Sequence, residues 1–149
     1  METVNALAKL AFSDRSFSVN RFNSEPRFQP ERVGNLYSTW VTAAIVDKRA
    51  DLTLVYEEAD VCGFMTFKLP SPAEKASGLN LGKAVLSAVH PAMHRNGIYR
   101  KLLLSGFKWL KENGVDYVEG KTQLSTVPVI RAWQKLGAEL RIVYHTFHN

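Results

Sequence analysis

The sequence predicts a single mixed α/β (α+β) domain, a mixed central sheet flanked by helices, and three observations predict it. Its 149 residues are the size of one ordinary domain, and an apolar content of 46% is enough for a core. Stretches with apolar residues at helical spacing exchange with β-branched runs in the order α, α, β, β, β, α, β, α, β, with no repeat and no internal linker. One apolar run stops at Pro91 and feeds a helix start at Gly97 through a short basic loop.

Near the N-terminus Val4, Leu7, Ala8 and Ala11 share one helical stripe, with Leu10 beside it. Residues 12–29 mix polar side chains with Phe12, Phe17, Phe22 and Phe28, a loop that either packs aromatics onto the domain or contributes to a substrate mouth. Pro30 and Glu31 open a second helix to about Ile45, whose inner face is Val33, Leu36, Tyr37, Trp40, Val41 and Ala44. Residues 52–56 and 61–68 are β-rich runs around Glu57-Glu58-Ala59-Asp60, which reads as a hairpin. Residues 70–80 read as a surface loop and 83–89 as a buried strand. A helix over 98–112 buries Leu102, Leu103, Phe107 and Leu110, and Asn113-Gly114 ends it in a left-handed cap. Residues 117–122 predict a strand, 127–136 a short helix begun near Pro128 and stopped by Gly137, and 138–147 a closing strand. The domain thus divides into a helical part, 1–50, and a core, 51–149.

Composition narrows the function classes. The net charge is +5, yet no run of Lys or Arg forms a basic stripe, so a small anionic ligand fits better than a nucleic-acid track. Cys62 is the only cysteine and lies in an apolar strand, which predicts an inert buried thiol and a reducing, cytoplasmic setting. Glu2 and the lack of a long apolar run argue against a signal peptide, and nothing approaches the roughly 20 apolar residues of a membrane span.

The chemistry concentrates between Leu86 and Leu103. A helix start leaves its first N–H groups without intrahelical partners and carries partial positive charge. A strand running into such a start through a glycine loop predicts a phosphate cradle, and Arg95, Arg100 and Lys101 add full charges for a di- or triphosphate. No metal site is expected: His90 and His94 are four apart but Pro91 falls between them, and His145 and His148 lack a matching context. Glu57, Glu58 and Asp60 read as a solvated turn, or as an attractor for a cationic amine. Trp40, Trp109 and Trp133 read as core, with Trp133 able to line an acyl pocket if its helix faces the cofactor.

From residue 52 to 147 the chain resembles the Gcn5-related N-acetyltransferases (GNAT), whose signature after Val-x-Pro is Arg/Gln-x-x-Gly-x-Gly/Ala. Here Val89-His90-Pro91 precedes His94-Arg95-Asn96-Gly97-Ile98-Tyr99, with His94 in place of Arg/Gln and Tyr99 in place of a small residue. A second match runs from Pro128 to Gly137 and resembles the family's late helix, Asn-x-x-Ala-x-x-x-Tyr-x-x-x-Gly-Phe. Thr126 stands where the Asn falls, Trp133 where the Tyr falls and Ala138 where the Phe falls. That Tyr often protonates the departing thiolate, so Trp133 removes the usual general acid. Arg27-Phe28, Leu36-Tyr37-x-x-Trp40, Thr122-Gln123 and the ending Tyr144 to His148 are similar to the branch acting on nucleotide-linked amino sugars. The family's first strand is not visible before Val4, so the chain is either the C-terminal part of a longer protein or lacks that strand.

The resemblance implies acetyl-CoA as cosubstrate and no metal. It implies Ala88 and Val89 at the thioester, and His94, Arg95, Asn96, Gly97, Ile98, Tyr99, Arg100 and Thr126 at the rest of the cofactor. It further implies direct acetyl transfer to the primary amine of a small molecule, first a nucleotide-linked amino sugar, with a protein N-terminus or polyamine next. A degenerate CoA-binding domain is the rival, favoured by Trp133 and Tyr99. Neither nucleic acid nor membrane is an expected partner; a second copy of the chain is the one protein partner admitted. For the proton donor, Tyr144, His145 and His148 are nearest by sequence. On a strand Tyr144 and His148 would share a face about 13 Å apart, too far to serve one atom. Tyr144, closer to the strand's middle, is the expected acid.

Overall fold

The computed structural model describes residues 2–14 and 20–145. Two helices come first, α1 (Glu2–Ser13) and α2 (Pro30–Ile45), then strands β1 (Leu52–Glu57) and β2 (Val61–Lys68). A short α3 (Pro72–Ala76) precedes β3 (Leu81–Val89), and α4 (Ile98–Glu112), β4 (Tyr117–Gly120) and α5 (Val127–Gln134) follow. The sheet order is β1-β2-β3-β4, with β1, β2 and β3 antiparallel in turn and β4 parallel to β3. The mixed sheet and flanking helices agree with the sequence reading.

β2 is the centre of the packing, buried from Cys62 through Phe67 because helices cover both faces. On one side Phe64 and Ala88 meet Val4, Leu7, Ala8 and Ala11 of α1 and Val41 of α2. On the other, Met65 and Phe67 meet Ile98, Leu102, Leu103 and Leu110 of α4. α4 comes close because Gly106 faces Phe67: a Cβ there would stand 1.9 Å from the ring. The α1–α2 pair is tied by Asn5 Nδ2 donating to Thr42 Oγ1 at 3.0 Å.

The described part of the 12–29 segment packs aromatics. Phe12 stacks on Tyr37 at 3.8 Å between centroids, and Phe22 meets Phe28, Tyr37 and Trp40 edge-on. The buried Asn20 and Asn23 fold the turn, each accepting the other's backbone N–H, and Asn23 Nδ2 donates to the Phe12 carbonyl at 3.3 Å. Phe17 lies outside the described residues.

Two expectations change. Residues 70–80 contain α3, opened by a capping box in which Ser71 and Glu74 exchange hydrogen bonds. The expected closing strand over 138–147 is not formed in its described part: residues 138–145 pair with no other described strand, and Leu140, Ile142, Val143 and Tyr144 are exposed. A strand exists only through its ladder, and the alternation at 140–144 has no partner to satisfy. Residues 146 and 147, and His148, lie outside the described residues. β4 is also shorter than expected, ending at Gly120.

Candidate active site

β3 and β4 run side by side only from Leu81↔Tyr117 to Ala84↔Gly120. Beyond that pair β4 has ended, and β3 continues through Val89 with no β4 residue beside it. Its edge there offers backbone donors and acceptors toward the gap. At its end His90 N–H donates to the Cys62 carbonyl at 2.8 Å, which holds the exit of β3 against β2. Pro91–Met93 then forms one 3-10 turn, with Met93 N–H donating to the His90 carbonyl at 2.8 Å.

Arg95 and Gly97 both adopt left-handed backbone, φ 69° and 73°. Gly97 is the N-cap of α4 and no side chain caps that turn. Lys101 N–H reaches the Gly97 carbonyl at 3.0 Å, so the amides of Ile98, Tyr99 and Arg100 precede the first intrahelical bond. A Cβ on Gly97 would meet nothing within 4 Å, so the cap faces open space. Uncapped donors, helix-dipole charge and the exposed Arg95 and Arg100 therefore converge on ground an anion can enter.

The remaining side chains are placed as follows. His94 Nε2 lies 3.1 Å from the Val89 carbonyl, a contact that needs the tautomer with its proton on Nε2. The ring thus braces the loop against the end of β3. Lys101 turns away from the cap: its ammonium lies 4.9 Å over the Tyr56 ring and donates to Tyr56 Oη at 3.2 Å. Tyr56 Oη in turn donates to Glu58, so part of the acidic hairpin tip is engaged within the protein. Thr126 is the N-cap of α5. Cys62 is buried and its thiol donates to the Asp60 carbonyl at 3.1 Å, the environment of a structural thiol. Tyr144 is 75% exposed on the unpaired C-terminal segment. A surface depression of about 420 Å³, lined by Phe107, Lys111, Gly114, Val115, Asp116 and Val118, includes none of the loop residues. Among the described residues no cluster of His, Cys, Asp and Glu could hold a metal, and no helix is long and apolar enough to cross a membrane.

Sequence reasoning missed one contact. Tyr99 does not crowd the cradle; it turns inward against the α4 core, where Trp133 Nε1 donates to its hydroxyl at 3.0 Å. Burial pushes the Tyr99 pKa up and outweighs the opposing influence of Trp133 and of Ser87. Ser87, Tyr99 and Trp133 come from three elements, and no local motif joins them.

The model of the Acetyltransferase (GNAT) family covers residues 15–138. The chain belongs to the GNAT acetyltransferases. Among solved structures, an aminoglycoside acetyltransferase from an uncultured soil metagenomic sample, in complex with trehalose, matches with TM-score 0.61 and 16% identity. That match covers 99% of this chain and 88% of the other. A GNAT family acetyltransferase from Brucella melitensis, in complex with acetyl-CoA, gives 0.61 at 18% identity over 93% of this chain and 76% of its own. A ribosomal-protein-alanine N-acetyltransferase from Brucella melitensis gives 0.59 at 17% identity, covering 75% and 80% respectively. At these identities the GNAT fold is what the structures share. No curated protein matches the sequence.

Proposed function

We propose that this GNAT domain moves an acetyl group from acetyl-CoA directly to the primary amine of a small molecule, with a nucleotide-linked amino sugar as the first acceptor class. The observation that carries the reading is the uncapped start of α4 at Gly97, set beside the gap where β3 outruns β4. The pyrophosphate would lie on the amides of Ile98, Tyr99 and Arg100, with Arg95 and Arg100 nearby and His94 and Asn96 shaping the loop. The pantetheine arm would add to the free edge of β3 as an extra strand does, bringing the thioester to Ala88 and Val89, with the Val89 amide, which points away from β2, as the oxyanion donor. Thr126, at the start of α5, would close the other side. Cys62, engaged with Asp60, supports direct transfer over an acyl-enzyme.

Aminoglycosides and protein N-termini are the acceptor classes of two relatives and are the natural rivals to the amino sugar. Two measurements test the reading. Acetyl-CoA at 100 times its Kd should stabilise the fold by about 2.7 kcal/mol. For a domain of this size that raises Tm by roughly 5–10 °C. A panel of nucleotide-linked amino sugars, sisomicin, an alanine-terminated peptide and spermidine, followed by mass spectrometry, should then yield one acetylated class. A Tm shift below about one degree would sink cofactor binding. A shift without any acetylated product would leave a CoA-binding domain that has lost its chemistry.

A further inference from the structure

The two positions at which this chain departs most from the family pattern, Tyr99 and Trp133, touch each other. The indole N–H of Trp133 can only donate, and it donates to Tyr99 Oη at 3.0 Å. Ser87, which also works to lower the pKa of that hydroxyl, lies on the part of β3 that has outrun β4. Trp133 is anchored on the opposite strand: its ring rests on Gly120, the last residue of β4, where an added Cβ would stand 2.3 Å from it. Phe107 of α4 holds the same ring edge-on at 5.3 Å. The Tyr99 oxygen is thereby tied to the end of β4, where its pairing with β3 stops. Only glycine at 120 lets the indole lie this close to β4.

A phenol that accepts from an indole N–H keeps its own proton free to give. When the proton leaves, the same N–H holds the phenolate. We infer that Tyr99 is the residue that protonates the departing sulfur, with Trp133 as the positioning residue that holds its oxygen beside the end of β4. The inference rests on the acetyl-transfer reading above. In the step, the amine lone pair forms the C–N bond at the thioester carbonyl and an oxyanion develops on the carbonyl oxygen. Its collapse breaks the C–S bond, and that electron pair takes the Tyr99 Oη proton to give CoA–SH. The proton shed by the attacking nitrogen passes to water, and a proton from water restores Tyr99. The hydroxyl absent from position 133 is thus supplied from the neighbouring helix by the residue that the indole itself holds.

The test compares wild type with Tyr99→Phe, Trp133→Phe and Tyr144→Phe, each first checked by its thermal melt and its acetyl-CoA affinity. With the acceptor that the panel identifies, Tyr99→Phe should lower kcat at least tenfold and leave the KM for acetyl-CoA within twofold. Trp133→Phe, which keeps an aromatic ring but loses the N–H, should lower kcat by a smaller factor. A second readout needs no acceptor. Thiols ionise near pH ~8.5, and acetyl-CoA has no thiol to ionise. A Tyr99 O–H aimed at the sulfur should therefore raise the affinity of CoA relative to acetyl-CoA at least threefold between pH 7 and pH 9, and Tyr99→Phe should abolish that rise. Where no panel amine turns over, this ratio decides alone. A folded Tyr99→Phe protein with wild-type kcat, or with the pH rise intact, overturns the assignment, and a tenfold loss confined to Tyr144→Phe transfers the role to Tyr144. Failure of wild type to bind acetyl-CoA at all would instead remove the acetyl-transfer reading beneath it.

Discussion

Gly97 does two jobs at one position. Its φ of 73° costs an L-residue roughly 1–2 kcal/mol, and a side chain there would project into the open space in front of the α4 amides. Nothing in the protein occupies that space, so the fold tolerates a Cβ sterically while an incoming anion does not. Gly97→Val should therefore remain folded, lose about 1–2 kcal/mol of stability, and bind acetyl-CoA at least tenfold more weakly by isothermal titration. Unchanged affinity in the folded variant would move the phosphates elsewhere. This position was legible in the sequence, because a glycine between a basic loop and a helical stripe has a local meaning. The Tyr99–Trp133 contact was not: its partners stand 34 residues apart, and each looked like an isolated departure from a motif. The acid expected at Tyr144 depended on a strand, and a strand cannot be read from alternation without knowing its partner.

Helix α4 is positioned by what it lacks. Gly106 in mid-helix costs about 1 kcal/mol of helix propensity relative to alanine, yet a Cβ there would overlap the fully buried Phe67 ring. Overpacking of about 1–3 kcal/mol or more outweighs the propensity gain. Gly106→Ala should thus lower the urea midpoint, whereas a raised midpoint would mean that Phe67 has room to swing aside. α3 carries a different device. Glu74 pairs with Lys83 of β3 and accepts from the Ser71 backbone and hydroxyl, and these contacts lower its carboxyl pKa from 4.5 to about 2. A carboxyl depressed on folding stabilises the protein above its unfolded pKa, and that contribution fades as pH falls through the folded value. The stability gap between wild type and Glu74→Gln should hold at pH 6 and close between pH 4.5 and about pH 2, read by urea melts at each pH. A gap that persists at the acid end would place the contribution in packing. The elements themselves were largely legible, since α2, β2 and α4 carry strong patterns with clear boundaries, a start at Pro30 for α2 and ends at Lys68 for β2 and at Asn113 for α4. α3 was masked by Pro72 and the flanking Pro70, Ser71 and Ser77, although Ser71 followed three residues later by Glu74 is a helix-start signature.

At the scale of the molecule, two apolar clusters share β2 and β3 but use different helices: α1 and α2 on one face, α4 on the other. The cradle belongs entirely to the second group, being the turn from β3 into α4. A ligand bound there stabilises only those openings that destroy its site. Openings that unravel α1 from Phe64 and Ala88 leave the start of α4 and its amides in place. Acetyl-CoA at 100 times its Kd should therefore slow hydrogen exchange up to about 100-fold at residues 85–89 and in the body of α4. Exchange through local fraying of α1 should stay at its ligand-free rate, and only amides that exchange by global unfolding should slow everywhere. Gly97→Val should erase the protection at a concentration that saturates wild type, while Tyr99→Phe, which keeps the amides of the cradle, should retain it. Protection centred on α1 and α2 would place the nucleotide on the opposite face of the sheet, against the route in which β3's free edge leads the thioester past the end of β4.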